Sequence, residues 1–308
     1  MRTMDSCRVW APATVANLNA GFDSLGCALM APGEFMDFKR VVEPGIHLVN
    51  GPGTDLPLDV HANVAGKAAA SLLQALGDPF GVEITVTKSI LPGSGIGSSA
   101  ASAVAAVVGV DALTEAGMRR DELLPFALDG EEVASGARHA DNVAPALLGG
   151  MTLIDPAGKV CALPVPSSWH MVILHPQVVI KTAESRAVLP AQVPLSDAVH
   201  QAAWLGRLVH DLHAGNELDA MYALEDLLVG PHRSALMPHW SECQKAASSA
   251  GARAGGISGS GPSSFWVCRN AAEASAVAGA LAQVMNAHAL DHHLHLTQLS
   301  TQGAHVVS

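Results

Sequence analysis

The sequence predicts an α+β protein in two parts. Strand-like and helix-like runs are mixed at irregular spacing, where a regular parallel α/β array would alternate steadily. At 308 residues the chain is long enough for one large domain or two modest ones. A turn-rich stretch, Asp155–Ser168 with Pro156, Pro164 and Pro166, interrupts it near the middle. The boundary is expected there, dividing residues 1–158 from 159–308.

Arg8–Trp10 and Phe35–Val42 read as strands. His61–Leu76 reads as a helix, because Val64, Ala68, Leu72 and Leu76 recur at steps of four. Val82–Val86 alternates apolar and polar, the pattern of a strand. Lys88–Gly97 carries Pro92, Gly93, Gly95 and Gly97, which no regular element survives. Ser98 and Ser99 offer hydroxyls to cap a helix start. Ala100–Leu113 follows as a helix apolar on nearly every side, and so buried. Asp121–Ser135 is helical, with Pro125 in its early part where proline costs least. Met151–Ile154 and Met171–Leu174 read as strands. Leu195–Leu228 gives two helices broken near Gly215; Ser241–Ala250 and Ala271–Met285 give two more. Ser264–Val267 and Leu290–Leu299 read as strands.

The formal charge is −11, with no basic run, which argues against nucleic acid as a partner. It leaves room for an anionic ligand at a helix N-terminus. The longest apolar candidate, Ala100–Val110, is too short for a membrane helix, and Met1–Ser6 lacks a signal-peptide core. Cys7, Cys27, Cys161, Cys243 and Cys268 are odd in number and widely spaced, as expected of reduced thiols in a cytoplasmic protein.

The strongest chemical signal is Pro92-Gly93-Ser94-Gly95-Ile96-Gly97-Ser98-Ser99-Ala100-Ala101, between a strand and a helix. Glycines let backbone N–H groups converge on one centre, and the helix N-terminus adds about half a positive charge. A Gly/Ser loop alone is more often a plain connection. Placed between strand and helix, this one is a phosphate cradle. It is not a Walker A loop, since no Lys follows its last Gly, nor a Rossmann fingerprint, since Ser98 stands at the third glycine. A second glycine loop, Gly255–Ser264, is weaker alone. The run Asp291-His292-His293-Leu294-His295 looks metal-like, but a surface strand accounts for it better.

Three stretches resemble the GHMP kinases, the small-molecule kinases named for galactokinase, homoserine kinase, mevalonate kinase and phosphomevalonate kinase. They are Pro12-Ala13-Thr14 through Gly21-Phe22-Asp23-Ser24-Leu25-Gly26, the Pro92–Ala101 loop and the Gly255–Ser264 loop. Within the family the chain is similar to the branch acting on L-homoserine. The discriminating residues are Asn17 with Asp23, His139-Ala140-Asp141-Asn142, Thr182–Arg186 and Pro231-His232-Arg233. Val15, Asn19, Ala20 and Gly230 depart from the usual pattern. The resemblance spans nearly the whole chain. It implies a ribosomal-protein-S5-domain-2-like N-terminal α/β domain and a ferredoxin-like C-terminal α+β domain.

The implied activity is phosphorylation of the side-chain hydroxyl of L-homoserine by Mg-ATP, a step of threonine biosynthesis, in a homodimer. Arg186 and Arg233 suit a carboxylate, and Asp23 an ammonium. Thr14, Asn17, His139 and Asn142 would orient the hydroxyl and its neighbours. Ser99 and Glu131 would ligate Mg²⁺, with Glu132 the rival. Catalysis would rest on Asn142, Arg186, Ser99 and Glu131. Asn63, Val64, Lys88 and Ser89 would line the adenine pocket, and Ser258, Gly259, Ser260 and Gly261 would join the nucleotide site. Because an amide is no base, the expected mechanism is direct in-line attack. The alternatives are another kinase of the family, or a binding protein without catalysis on the same fold.

Overall fold

The computed structural model describes residues 4–307. Strands β1 (Ser6–Ala16) and β2 (Leu25–Val41) form a long antiparallel pair. β3 (Ile46–Asn50) connects through α1 (Val64–Ala75) to β4 (Gly81–Thr87), which lies parallel to β3 and antiparallel to β2. Helices α2 (Ser98–Thr114), α3 (Arg120–Ser135) and α4 (Ala140–Leu148) follow. A hairpin of β5 (Met151–Ile154) and β6 (Val160–Leu163) then pairs with the first residues of β2. α2 is buried along most of its length, between the sheet and α1, α3 and α4. Its Ala and Val side chains allow that close approach on every side.

The second sheet is antiparallel, in the order β10 (His292–Thr297), β7 (His170–Pro176), β9 (Ser264–Cys268), β8 (Ala254–Ile257). Between β7 and β8 run α5 (Thr182–Ala187), α6 (Leu195–Ala214), α7 (Glu217–Tyr222), α8 (Gly230–Arg233) and α9 (Trp240–Ala250). Between β9 and β10 runs α10 (Ala271–Ala287). This order is the ferredoxin-like arrangement. Val172, Leu174 and Trp266 face α9 and α10 in one core, while Met171, Ile173, Phe265 and Val267 join the core of the first sheet. Alternation along β7 and β9 therefore makes the second sheet a shared wall.

Several boundaries differ from expectation. α1 starts at Val64, because the Asn63 side chain accepts from Gly66 N and the Asp59 carboxylate holds His61 and Ala62 in a turn. The helix after Gly215 stops at Tyr222; further on, Asp226 accepts from the N–H groups of Leu228, Val229 and Gly230. The expected division at 158/159 falls in the β5–β6 turn, and β6 still belongs to the first sheet. So does β11 (His305–Val307), which pairs with β1. Among the described residues, no helix is long and apolar enough to cross a membrane.

Candidate active site

The Lys88–Gly97 loop, α5, α8 and the 258–263 loop enclose a cavity of about 790 Å³. Gly95 and Gly97 have φ of +81° and +71°, a left-handed backbone that other residues adopt at a cost. The loop is pinned from the second half of the chain: Ser258 Oγ donates to Gly95 O at 2.7 Å and Ser263 Oγ to Ser94 O at 2.5 Å. Thr14 N donates to Ile96 O at 3.1 Å.

The helix cap differs from expectation. Gly97 occupies the N-cap, which receives no side-chain hydrogen bond, and Ser98 Oγ turns away to donate to Ile90 O at 2.7 Å. The first turn of α2 thus keeps N–H groups available to an anion, as a phosphate cradle requires.

Beneath this turn lies a buried ion pair. Lys88 Nζ contacts Glu34 at 2.8 Å and donates to Ser98 O at 2.9 Å and Ser102 Oγ at 2.8 Å. The ammonium is spent on anchoring α2 to β2, a different use from the adenine contact expected of it.

Glu131 is buried in the cavity wall, and its Oε2 has no hydrogen-bond partner. Burial pushes its pKa up to about 7, the charge of Asp141 adds to this, and a hydrogen bond from Ser99 opposes it. Asp141 is raised to about 7 by burial and by the Asp23 charge. A buried carboxylate with an orphaned oxygen, beside a serine hydroxyl, is a donor set that suits Mg²⁺. Glu132 is exposed, which favours Glu131 over its rival.

Across the cavity, Arg186 donates from both terminal nitrogens to Asp23, at 2.9–3.1 Å, and from Nη2 to His139 Nε2 at 2.8 Å. His139 is held below the usual histidine range by burial and by the Arg186 charge. Arg233 is buried and donates to Ser185 O at 3.1 Å and Gly259 O at 2.8 Å. Phe22 lies under both guanidiniums, 5.7 Å from Arg186 and 5.1 Å from Arg233. Thr14 Oγ1 donates to Asn142 Oδ1 at 2.6 Å, which fixes the plane of that amide.

The cavity gathers Asn17, Asp23, Asn63, Val64, Lys88, Ser99, Glu131, His139, Asn142, Arg186 and Arg233, with most of the glycine loop. Thr14, Ile96, Ala100, Ser258 and Gly261 are buried behind its wall, and Ser89 is exposed outside it. Thr14 acts on Asn142, Ser89 Oγ donates to Gly33 O, and Ile96 and Ala100 are core. Asn17 spends its side chain on the backbone, accepting from Asp23 N and donating to Gly259 O. The cavity adds Asp141 and Lys181, which sequence reasoning had not assigned. Asp141 sat in the quoted 139–142 motif, so its charge was a usable signal. Asn19, a departure from the family pattern, donates to Leu224 O and Gly255 O and ties the first turn to the second half.

Residues 63–150 match the family model of the GHMP kinases N terminal domain, and residues 195–287 that of the GHMP kinases C terminal. The chain is 36% identical to a homoserine kinase of Xanthomonas campestris, over 100% of this chain and 96% of that protein. It is 38% identical to a homoserine kinase of the archaeon Pyrococcus abyssi, over 85% of this chain and 88% of that protein. The crystal structure of a homoserine kinase from Cytophaga hutchinsonii superposes with a TM-score of 0.95 at 37% identity, covering 100% of this chain and 99% of that one. The chain belongs to the GHMP kinase family, and it is similar over its full length to homoserine kinases.

Proposed function

We propose that this chain transfers the γ-phosphoryl group of ATP to the side-chain hydroxyl of L-homoserine, giving O-phospho-L-homoserine for threonine biosynthesis. One observation carries the reading: a single cavity holds an uncapped helix N-terminus at one wall and the Asp23–Arg186 pair beside Arg233 at another. The first suits a triphosphate, and the second suits the ammonium and carboxylate of an amino acid. Mevalonate offers no ammonium and sugars no carboxylate.

In this reading the Pro92–Ala101 loop and the start of α2 hold the phosphates. Glu131 and Ser99 would hold Mg²⁺, which when bound neutralises developing charge on the phosphates. Arg186 and Arg233 take the α-carboxylate, Asp23 takes the ammonium, and Asn142, aimed by Thr14, positions the acceptor hydroxyl. That oxygen forms its bond to the γ-phosphorus as the bond to the ADP oxygen breaks. The hydroxyl proton leaves on a phosphoryl oxygen, so Asn142 need not act as a base. Asn63 and Val64 border the adenine.

The active unit is proposed to be a cytoplasmic homodimer. The five unpaired cysteines fit a reducing compartment, and α6 exposes Leu195, Val199 and Trp204 to a second copy. A coupled ADP-release assay tests the activity. L-homoserine should turn over far faster than mevalonate or galactose; equal rates, or none with L-homoserine, refute it.

A further inference from the structure

His239, Glu242 and His288 converge on the surface where two helices end. None of them lines the catalytic cavity. His239 immediately precedes α9, Glu242 lies in its first turn, and His288 directly follows α10. His288 Nε2 is 3.0 and 3.1 Å from the two carboxylate oxygens of Glu242, and His239 Nδ1 is 3.6 Å from the nearer one. The two imidazoles stack with centroids 3.5 Å apart. One ligand atom from each residue falls within 4.8 Å of the other two.

A tetrahedral zinc ion, bound at roughly 2.0–2.1 Å, holds its ligand atoms about 3.3 Å apart. The separations of 3.1 Å from His288 Nε2 and 3.6 Å from His239 Nδ1 to Glu242 Oε1 bracket that value. Both rings have side chains 33% exposed, so they can turn their nitrogens inward without disturbing the core. Two imidazoles and one carboxylate form a set for zinc, nickel or cobalt, while magnesium and calcium call for oxygen alone. Among the described residues, no other three His, Cys, Asp or Glu bring their ligand atoms this close. The histidine-rich run on β10 does not compete, because no three ligand atoms there come within 4.8 Å of one another.

We propose that His239, Glu242 and His288 form a binding site for a divalent transition-metal ion, with water in the fourth position. An ion here clips the start of α9 to the end of α10. The segment entering His239 carries Arg233, and its Met237 packs against Ile180 and Ile257 behind the cavity. The site therefore braces the chain that presents Arg233.

The test is calorimetric titration of the chelator-treated full chain with zinc chloride, beside magnesium chloride as control. Wild type should show one saturable zinc site per chain and a Tm that rises with zinc, and magnesium at equal concentration should not displace the zinc. His239→Ala and His288→Ala should each weaken zinc binding by more than about 100-fold, beyond the 10- to 100-fold typical of losing an outer-shell partner. Each metal-free variant should keep the wild-type circular dichroism and Tm. Glu242→Gln is a third variant, expected to weaken zinc binding on its own. Saturable binding retained in the His239→Ala/His288→Ala double variant, or no saturable zinc binding by wild type, overturns the proposal. The readout is metal binding, so its failure leaves the kinase reading untouched.

Discussion

Asp23 and Arg186 neutralise each other in a bidentate pair, with both carboxylate oxygens within 3.1 Å of the guanidinium. Their side chains are 35% and 37% exposed, so in the free protein the pair contributes at most about 1 kcal/mol. In the proposed reading, an amino acid entering the cavity would separate them, with its ammonium at Asp23 and its carboxylate at Arg186. Removing one partner of such a desolvated set costs about 2–5 kcal/mol. Asp23→Ala should lower kcat/KM for L-homoserine roughly 30- to 3,000-fold and leave ATP affinity almost unchanged. An acceptor without the ammonium should lose much less. A loss below tenfold, or an equal loss for both acceptors, removes Asp23 from this role.

Glu131 couples function to stability with opposite signs. Its carboxyl is raised from the ordinary 4.5 to about 7, so the folded state holds the proton more tightly than the unfolded one. Its stabilising contribution is complete below pH 4.5 and is lost as pH rises through about 7. Glu131→Gln should then raise the Tm of the free protein at pH 8, by the equivalent of roughly 1–3 kcal/mol, and change it little at pH 4. Turnover should collapse, while the exposed Glu132→Gln stays near wild type. Unequal pH behaviour absent from thermal scans, or equal kinetic damage from both variants, would count against the assignment.

The glycine loop separates two kinds of cost. A Cβ at Gly97 would lie 2.0 Å from Thr14 Oγ1 and 3.1 Å from Asn142 Oδ1, so the obstruction expected at the phosphate falls on the acceptor side as well. At Gly93 a Cβ would meet only Val179, at 3.8 Å, which leaves backbone strain alone. Gly97→Ala should reduce kcat and ATP affinity together, and Gly93→Ala should do neither by more than a few-fold. Calorimetry with a nonhydrolysable nucleotide and steady-state kinetics measure both.

Thr14 should act through Asn142. Thr14→Val keeps the shape and leaves Asn142 Oδ1 without its donor, a loss of about 1–3 kcal/mol. We expect kcat to fall about tenfold or more with KM for ATP unchanged, and Thr14→Ser to recover most of it. Failure of serine to rescue would mean that the methyl packing, and not the hydroxyl, matters.

Lys88→Met should destabilise the protein by about 3–5 kcal/mol, because Glu34 is left buried and unpaired. Lys88→Met combined with Glu34→Gln should recover a large part of that loss. Equal Tm values for the single and double variants would show that the charges are not coupled.

The elements that sequence made legible are those whose pattern is self-contained. α2 announces itself by an unbroken run of small apolar residues, and β4 by strict alternation. β3, β8 and β11 escaped because neighbours define them: β8 is Ala-Gly-Gly-Ile, which becomes a strand only beside β9. α4 hides behind an internal proline, Pro145. In the candidate site, the cavity placement of residue types with one evident chemistry was legible, as Glu131 and Arg186 illustrate. Side chains with a choice of partner were not. Lys88 faces the cavity in sequence order yet serves Glu34, and Asn17 serves the backbone. Such choices are settled by distances across the fold, which spacing along the chain does not encode.

β11 can take its place beside β1 only late in synthesis. β1 is made before every other strand of its sheet, yet its outer neighbour comes from residues 305–307, after the whole second sheet has been made. Until then one border of the first sheet offers bare N–H and C=O groups to any passing strand. A nascent chain stalled before that point is the species most exposed to wrong association.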